Sequence, residues 1–354
     1  MNLPLITVPR RTAVCCLATI LLLGVSASRA AAQVKADPGN APAAPQPDDP
    51  RVIVIRVDAP LRSGSTLVGK AALAEILTGR EVNGEWLWIP DAKGWIKQSD
   101  VVPLDRAMIH FTAQIEQNPT SRAYFERGAA RISLGDYEKA VADFSKAIER
   151  DPKNLPALND RGTTYRRLGE SEKAKADFDK VISAGTRHPA AYTNRGLAWL
   201  DLGNIEQAMV DLHVALELDE KYAPAWEASG AAREAMGHTA KAIDDYRIAV
   251  ELDPSFALAW NNRAWLLATT PDGSLRNGRQ AVEFATKACE LTGYQKADVL
   301  DTLAAALAET GQFNQAVRRA KEAVAKADEH HKPGIEARLK LYETGKPYRQ
   351  PASR

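Results

Sequence analysis

Arginine recurs in this chain with a regular spacing, at Arg127, Arg161, Arg195 and Arg263, which lie 34 residues apart or twice that distance. A guanidinium group carries several N–H donors in one plane, so a row of arginines suits either an anionic ligand or the carboxylates of the fold itself. The strict period favours the second use, because a side chain that repeats with the scaffold is expected to serve the scaffold. We therefore predict that these arginines pair with neighbouring acids.

Residues for catalysis or for a metal are not arranged in any recognisable pattern. Neither HExxH, GxSxG, a phosphate-binding loop nor CxxC occurs. The run Glu329-His330-His331 could hold a metal weakly, but adjacent histidines near a helix end are typical of a solvated surface. The six histidines share no motif spacing; they are His110, His188, His213, His238, His330 and His331. We expect no enzyme activity, no cofactor and no metal site.

The arginines belong to a longer repeat, and this repeat must position them. A fixed period of 34 residues is the signature of a helical-repeat array. Glycine and alanine leave room where two helices approach closely, and the second glycine of each unit suits the left-handed turn that ends a helix. The recurring residues are Gly128, Gly162, Gly196 and Gly230; Gly135, Gly169, Gly203 and Gly237; Ala140, Ala174, Ala208 and Ala242; and the large side chains Phe144, Phe178, Leu212 and Tyr246.

These positions resemble the tetratricopeptide repeat, in which each unit is a pair of antiparallel helices. In the fifth unit the alanine of the motif arrives five residues late, at Ala281, because residues 271–278 lengthen the turn between its helices. We interpret this as a tolerated loop insertion. The resemblance implies six units, at residues 121–154, 155–188, 189–222, 223–256, 257–296 and 297–324.

The resemblance also implies a concave face lined by the first helices of the units, on which an extended protein segment would bind. Asparagine side chains there could pair with a peptide backbone through both a donor and an acceptor. Trp265 could supply a hydrophobic anchor. The candidate peptide-binding residues are Asn159, Thr163, Arg166, Asn194, Leu197, Asn261, Asn262 and Trp265.

The first fifty residues predict export. Residues 1–32 read as a cleavable secretory signal, with Arg10 and Arg11 ahead of an apolar run. Residues 33–50 form a linker rich in proline and alanine that is expected to stay disordered. No later stretch is apolar enough to span a bilayer, so we expect a periplasmic or secreted protein. Cys289 is then the only cysteine left, and we expect it to be a buried hydrophobic residue.

Residues 51–104 change to short alternating strands with tight turns, such as Asn83-Gly84. Together with Gly94-Trp95-Ile96 this segment resembles a small SH3-like β-barrel. Lys97 and Asp100 stand where that family places its polyproline pocket, so binding of proline-rich peptides is not expected. We expect Trp86, Trp88 and Trp95 to lie mainly in the barrel core, with Trp86 as the candidate for a ligand-facing aromatic.

The fold class expected is therefore mainly α: a tetratricopeptide solenoid, or αα-superhelix, preceded by a small all-β SH3-like barrel. A half-repeat helix at residues 105–120 would join the two, a helix within 325–345 would cap the array, and residues 346–354 would form a flexible tail.

Two functions follow from this organisation. The first is a non-enzymatic scaffold of the cell envelope that binds a protein segment in the concave groove. In the alternative, the SH3-like domain binds cell-wall peptide or glycan and the repeats act as a spacer or recruiter for an envelope enzyme. The chain has 46 basic and 45 acidic residues, interspersed along it, which gives no electrostatic case for nucleic acid as a partner.

Overall fold

The computed structural model describes residues 51–351, which fall into two compact units at residues 51–183 and 184–351. The predicted signal at 1–32, the predicted linker at 33–50 and residues 352–354 lie outside the described residues. Within residues 51–351 no helix is both long and apolar enough to cross a membrane.

The first unit begins with two small antiparallel sheets. One has the strand order β4-β1-β8 and the other the order β3-β2-β7-β6-β5. Sequential strands are joined by tight turns, for example at Gly84, whose φ of 57° suits the hairpin between β5 and β6. The strands are β1 Arg51–Val54, β2 Ala59–Ser63, β3 Thr66–Ala71, β4 Ile76–Thr78, β5 Glu81–Asn83, β6 Trp86–Ile89, β7 Gly94–Lys97 and β8 Val101–Pro103.

The core of this β region is aliphatic, which corrects the expectation that its tryptophans fill it. Strand residues alternate between two faces, and on β6 and β7 it is Ile89 and Ile96 that point inward, where both are buried. Trp86, Trp88 and Trp95 lie on the opposite face and are only half-buried. Trp88 stands across from Trp95 with 5.3 Å between the ring centroids.

The rest of the described chain is helical, and the helices follow one another in pairs. A 3-10 turn at Leu104–Arg106 leads into the first helix. The helices of the first unit are α1 Ala107–Gln117, α2 Ser121–Ser133, α3 Tyr137–Arg150, α4 Leu155–Arg167 and α5 Ser171–Ser183. Those of the second are α6 Pro189–Asp201, α7 Ile205–Leu218, α8 Ala223–Ala235, α9 Thr239–Leu252, α10 Ala257–Thr269, α11 Gly278–Leu291, α12 Ala297–Glu309, α13 Phe313–Lys326 and α14 Lys332–Glu343. The predicted fold class, a helical-repeat solenoid after a small β region, is confirmed.

Each early pair closes on a contact between the first glycine of the unit and the large side chain of the second helix. A Cβ built on Gly162 would lie 2.7 Å from Phe178 Cε1, and one on Gly230 would lie 2.6 Å from Tyr246 Cε1. In the third repeat, a Cβ built on Gly196 would lie 3.1 Å from Leu212 Cγ, its nearest neighbour. A methyl group cannot fit where the separation falls below about 3 Å unless the ring moves, and these rings are buried in a packed core.

The second glycine of each unit has the backbone conformation expected of a helix end. Gly135, Gly169, Gly203 and Gly237 have φ values of 83°, 76°, 78° and 76°. Their N–H groups bond back to the helix, as in Gly169 N to Arg166 O at 3.0 Å. These glycines set the short turn that brings the second helix back along the first.

The β region shares a hydrophobic cluster with the first helices and is not a free-standing module. Ile53 of β1 and Phe111 of α1 are fully buried in the same cluster as Leu73, Ala129 and Ala130. Cutting the chain near residue 104 would expose this cluster to water at a cost of roughly 25 cal/mol per Å². Functional tests of this chain are therefore better made with point variants than with fragments.

Filling the glycine contact is expected to destabilise the array according to the partner side chain. Gly162→Ala should lower the free energy of unfolding by about 1 to 2 kcal/mol, because overpacking against Phe178 outweighs the gain in helix propensity. Gly196→Ala is the matched control and should cost less, since Leu212 leaves more room. Urea denaturation would compare the two, and equal losses would contradict the role assigned to the ring. Adding Phe178→Leu to Gly162→Ala should recover part of the loss.

Candidate functional site

Three of the four repeated arginines make the structural ion pairs predicted for them. Arg161 donates from Nε and from Nη2 to the two carboxylate oxygens of Asp177, both at 2.7 Å. Arg127 pairs in the same way with Asp143, and Arg195 with Asp211. The Asp177 side chain is only 3% exposed, so this fork-like pairing neutralises a charge inside the fold. The acids recur with the same period as the arginines, a signal in the sequence that could have identified them.

Arg263 is the exception, and for this residue the predicted pairing is wrong. The position that holds aspartate in the earlier units, three residues after the motif alanine, is occupied in the fifth unit by Phe284. The Arg263 guanidinium carbon lies 4.4 Å from the centroid of the Phe284 ring. Burial lowers the pKa of Arg263, and the charge of Arg247 acts in the same direction. The carboxylates of Glu251, Asp244 and Glu283 only partly oppose this fall in pKa.

The candidate residues of the second repeat, all on α4, are already engaged within the protein. Asn159 donates from Nδ2 to Asp160 Oδ1 at 3.2 Å, and burial raises the pKa of Asp160 to about 7. The Thr163 hydroxyl donates a hydrogen bond to the carbonyl of Asn159 at 3.0 Å, and Arg166 is buried. The sequence pattern identified the helix, but these side chains do not form an open polar surface.

The candidate peptide-binding residues between 184 and 351 differ in accessibility. Asn194 is buried, and Leu197 packs against the cluster around Leu212. Asn262 is half-buried and donates to Glu227 Oε1 at 2.9 Å. Asn261 is 4% exposed, and its Oδ1 has no hydrogen-bond partner among residues 51–351. Trp265 is half-buried, and it contacts the rings and charges described next.

A segment predicted to be flexible covers Trp265. The Tyr348 ring lies 5.7 Å from the Trp265 ring, centroid to centroid, at an angle of 33°. The Arg338 guanidinium lies 5.4 Å from the Trp265 ring and 5.5 Å from the Tyr348 ring. The prediction of a flexible tail is thus corrected for residues 346–351, because they pack against the array through an aromatic stack and a cation–π contact.

Polar contacts continue along the same segment. Gln350 donates its backbone N–H to Thr269 O at 2.8 Å, and its side-chain amide to Glu234 Oε1 at 3.2 Å. Arg349 forms an ion pair with Glu309. These partners lie on the first helices of three consecutive pairs, α8, α10 and α12. We call the surface formed by Glu234, Trp265, Thr269, Glu309 and Arg338 the tail-binding face.

The spacing of the segment matches that of the helix beneath it. Tyr348 and Gln350 are two residues apart, about 7 Å in an extended chain. Their partners Trp265 and Thr269 are four residues apart on α10, a rise of 6 Å on one side of the helix. Pro347 favours the extended conformation, because its ring restrains φ and biases the residue before it. An extended peptide can therefore follow α10 in register.

The insertion in the fifth unit makes the carbonyl of Thr269 available. In the first four repeats a glycine follows the end of the first helix, whereas α10 ends at Thr269 and its C-cap residue, Thr270, has a ψ of 138°. The inserted loop is held in place by Arg276, which donates to Thr270 O at 3.0 Å and pairs with Glu309 Oε1 at 3.2 Å. The chain thus leaves α10 in an extended conformation, and the last carbonyl of the helix accepts from Gln350.

The tail-binding face places a carboxylate opposite each of two polar side chains of the tail: Glu309 meets Arg349, and Glu234 meets the Gln350 amide. Burial raises the pKa of Glu234, and the hydrogen bonds from Gln350 and Tyr246 oppose that rise. Glu309 lies between two guanidinium groups, those of Arg276 and Arg349. Asp301 holds Arg338 through two contacts, Nε to Oδ1 at 3.1 Å and Nη2 to Oδ2 at 2.6 Å. Within residues 51–351 no group of three His, Cys, Asp or Glu side chains could hold a metal ion.

Of the tail-binding face, sequence reasoning found only Trp265. Thr269 and Glu309 are each the last residue of a first helix, and Glu234 comes one position earlier in its helix. Arg338 lies on α14, and only stacking of successive pairs brings the four together. The sequence did contain one signal for this contact. Between two prolines, which bias the chain toward an extended conformation, it places an aromatic, a cation and an amide in succession, at Tyr348, Arg349 and Gln350.

Comparison with known proteins identifies the repeats. Models described as tetratricopeptide repeat match residues 121–154, 144–176 and 228–274. A stretch of 36 residues is 56% identical to the FK506-binding protein-like protein of Mus musculus and covers 10% of each chain, so the likeness spans about a tenth of that relative.

Solved structures share the fold at low identity. A tetratricopeptide repeat protein from Parabacteroides merdae has a TM-score of 0.51 and 20% identity, over 68% of this chain and 92% of that one. A chain of the APC/C hetero-tetramer Cut9-Hcn1 has a TM-score of 0.58 and 17% identity, over 67% of this chain and 46% of that one. At these identities the likeness shows the fold alone.

Removal of a paired arginine should cost far more stability than removal of the unpaired one. Arg161→Met leaves the Asp177 carboxylate buried without its main partner and should lower the free energy of unfolding by about 3 kcal/mol. Arg263→Met occupies the matching repeat position but abandons no acid, and should cost less than about 1 kcal/mol. Chemical denaturation of the two variants tests this, and similar losses would refute the pairing argument.

Docking of the tail should be visible in amide exchange. The Gln350 N–H, bonded to Thr269 O, is expected to exchange slowly in the native protein. Trp265→Ala should release the tail and remove that protection, while Lys346, whose N–H bonds to Leu341 O at the end of α14, should keep its own. Nuclear magnetic resonance can resolve both amides. Fast exchange at Gln350 in the unaltered chain would show that the tail is not docked.

Proposed function

Because the chain carries tetratricopeptide repeats, we propose that it is a non-enzymatic protein–protein interaction scaffold of the cell envelope. It binds an extended segment of a partner protein on the inner face of its first helices. The observation that carries this proposal is the tail-binding face, where α8, α10 and α12 already hold residues 348–350. Aromatic, ionic and backbone contacts combine there, as in peptide recognition by other helical grooves.

The face has the parts that a peptide site requires. Trp265 offers a large aromatic surface at low entropic cost, and Arg338 is held beside it by Asp301 before any ligand arrives. Thr269 O offers a backbone acceptor that is independent of the ligand's sequence. Glu234 and Glu309 add charge selection, because they favour partner segments that carry cations or amide donors.

The assignment to the envelope rests on the first fifty residues. Arg10 and Arg11, the apolar run after them and the small residues at its end support a cleavable secretory signal. The partner would then be a protein of the periplasm or of the secreted fraction.

A second candidate function places the main contact on the β region, which we propose to be SH3-like. The observation in its favour is the half-exposed face of Trp86, Trp88 and Trp95, flanked by Lys97, whose Nζ lies 5.5 Å from the Trp86 ring. An aromatic and cationic surface of this kind suits the sugar rings and peptide carboxylates of cell-wall material. The repeats would then serve as a spacer or would recruit an envelope enzyme.

Two single variants of the whole chain separate these functions. The unaltered chain, Trp265→Ala and Trp86→Ala would each be immobilised and used to capture partner proteins from the exported fraction. Mass spectrometry would identify and quantify the captured proteins. If the scaffold proposal is right, Trp265→Ala captures at least tenfold less of the partner than the unaltered chain does, and Trp86→Ala captures as much. The reverse pattern would assign binding to the β region, and retention by both would reject the groove. Circular dichroism must show that both variants keep the helical signal of the unaltered chain.

A further inference from the structure

We propose that residues 346–351 are an intramolecular ligand of the tail-binding face, and that the face accepts partner segments of the same chemistry, an aromatic followed by arginine and an amide. This inference rests on the proposed function and adds to it the class of partner and a built-in competitor. The tail would keep the face occupied until a segment that binds more tightly displaces it.

The tail does more than terminate the array. Helix α14 is already closed at Gly345, whose φ is 70°, and at Lys346, whose N–H bonds to Leu341 O at 3.0 Å. Capping of α14 therefore needs nothing beyond Lys346. The next residues nevertheless make three chemically different contacts on three helices: the Tyr348 stack, the Arg349 ion pair and the two Gln350 hydrogen bonds. Such a combination is the pattern of a recognised peptide.

The face is largely preformed without the tail. Trp265 is carried by the regular helix α10, and Arg338 is fixed to Asp301, which is 5% exposed. Arg276 pairs with Oε1 of Glu309, whereas Arg349 contacts Oε2. A preformed site loses little entropy on binding, so a free peptide with the same contacts should enter it once the tail is absent.

The tail is suited to be displaced. Tyr348, Arg349 and Gln350 are half-buried, so none of them is enclosed in the core. A short tether gives a local concentration in the millimolar range, which competes with weak ligands and yields to stronger ones. Occupancy by the tail lowers the apparent affinity of any partner by the fraction of time that the face is free.

Asn261 continues the same side of α10 but is not open to a partner. Asn261 lies one helical turn before Trp265 on the same side of α10, and Trp265 lies one turn before Thr269. The tail contacts the second and third of these positions. Asn261 Oδ1 is buried and accepts no hydrogen bond within the described residues, which is unfavourable. Asn261 is 4% exposed, as Asn194 is, so the contacts of a bound segment begin at Trp265.

The test uses a fluorescein-labelled peptide with the sequence of residues 345–351, Gly-Lys-Pro-Tyr-Arg-Gln-Pro. Fluorescence anisotropy would measure its binding to the whole chain and to the whole chain carrying Tyr348→Ala, Arg349→Ala and Gln350→Ala together. The peptide should bind the triple variant, and bind the unaltered chain at least tenfold more weakly. Equal affinity for the two would show that the tail does not compete. Absence of binding to a folded triple variant would show that the face does not recognise this segment.

Matched controls define the contacts. Trp265→Ala, added to the triple variant, should abolish binding of the peptide. A peptide with glutamate in place of its arginine should bind at least tenfold more weakly, because Glu234 and Glu309 would repel it. If that peptide binds as well as the original, the proposed charge selection is wrong. Circular dichroism of each variant must match that of the unaltered chain, since loss of helix would be a folding effect.

Two other outcomes would overturn the inference. A concentration-dependent dimer of the unaltered chain that the triple variant loses would mean that tails are exchanged between copies. Partner capture that depends on Trp265 without any binding of the tail peptide would leave the scaffold function standing and remove the tail as its competitor. Conversely, tail-dependent peptide binding without Trp265-dependent capture would support the competitor and reject the scaffold.

Discussion

Close contact between a glycine and a large buried side chain determines how each early helix pair is built. Where Gly162 meets Phe178, and Gly230 meets Tyr246, the absence of one methyl group lets the second helix lie against the first. That contact sets the rotation of both helices about their axes, and with it the side of each helix that faces its neighbour. The Arg–Asp pairs then form on the same seam, sixteen residues apart in sequence. Residues on the remaining side of the first helices are left for other contacts, because the seam has no room for them.

The fifth unit shows what happens when the pattern is broken. Phe284 stands where aspartate is expected, so Arg263 packs on a ring and not on a carboxylate. The longer turn ends α10 without a glycine and leaves Thr269 O as an acceptor. Arg276, which belongs to the insertion, pairs with Glu309 and so orders the acidic part of the tail-binding face. The irregular unit therefore contributes Trp265 and Thr269 to the tail-binding face and Arg276 to its support, consistent with the view that departures from local rules mark functional positions.

Sequence reasoning succeeded where a contact repeats and failed where it does not. The arginine pairing was predictable because Asp143, Asp177 and Asp211 share the period of their partners. Burial of Cys289 was predictable from its place on an apolar helix face, and burial raises the pKa of this thiol to about 12. The tryptophans of the β region were assigned to the wrong face, because alternation along a strand does not say which of two apolar faces is the inner one. Asn194 and Arg166 were assigned to an open groove but are buried.

The sequence by itself determined the architecture of this protein: the period, the helix ends, the pairing of helices and the change to β structure before residue 104. Each of these depends on residues close together in the chain, so local patterns are sufficient to specify them. Only the tertiary structure decided which side chains meet on the tail-binding face. Glu234, Trp265, Glu309, Arg338 and Tyr348 are separated by up to 114 residues, and stacking of successive pairs brings them together. Contacts of this kind depend on the accumulated geometry of several units, which no single repeat encodes.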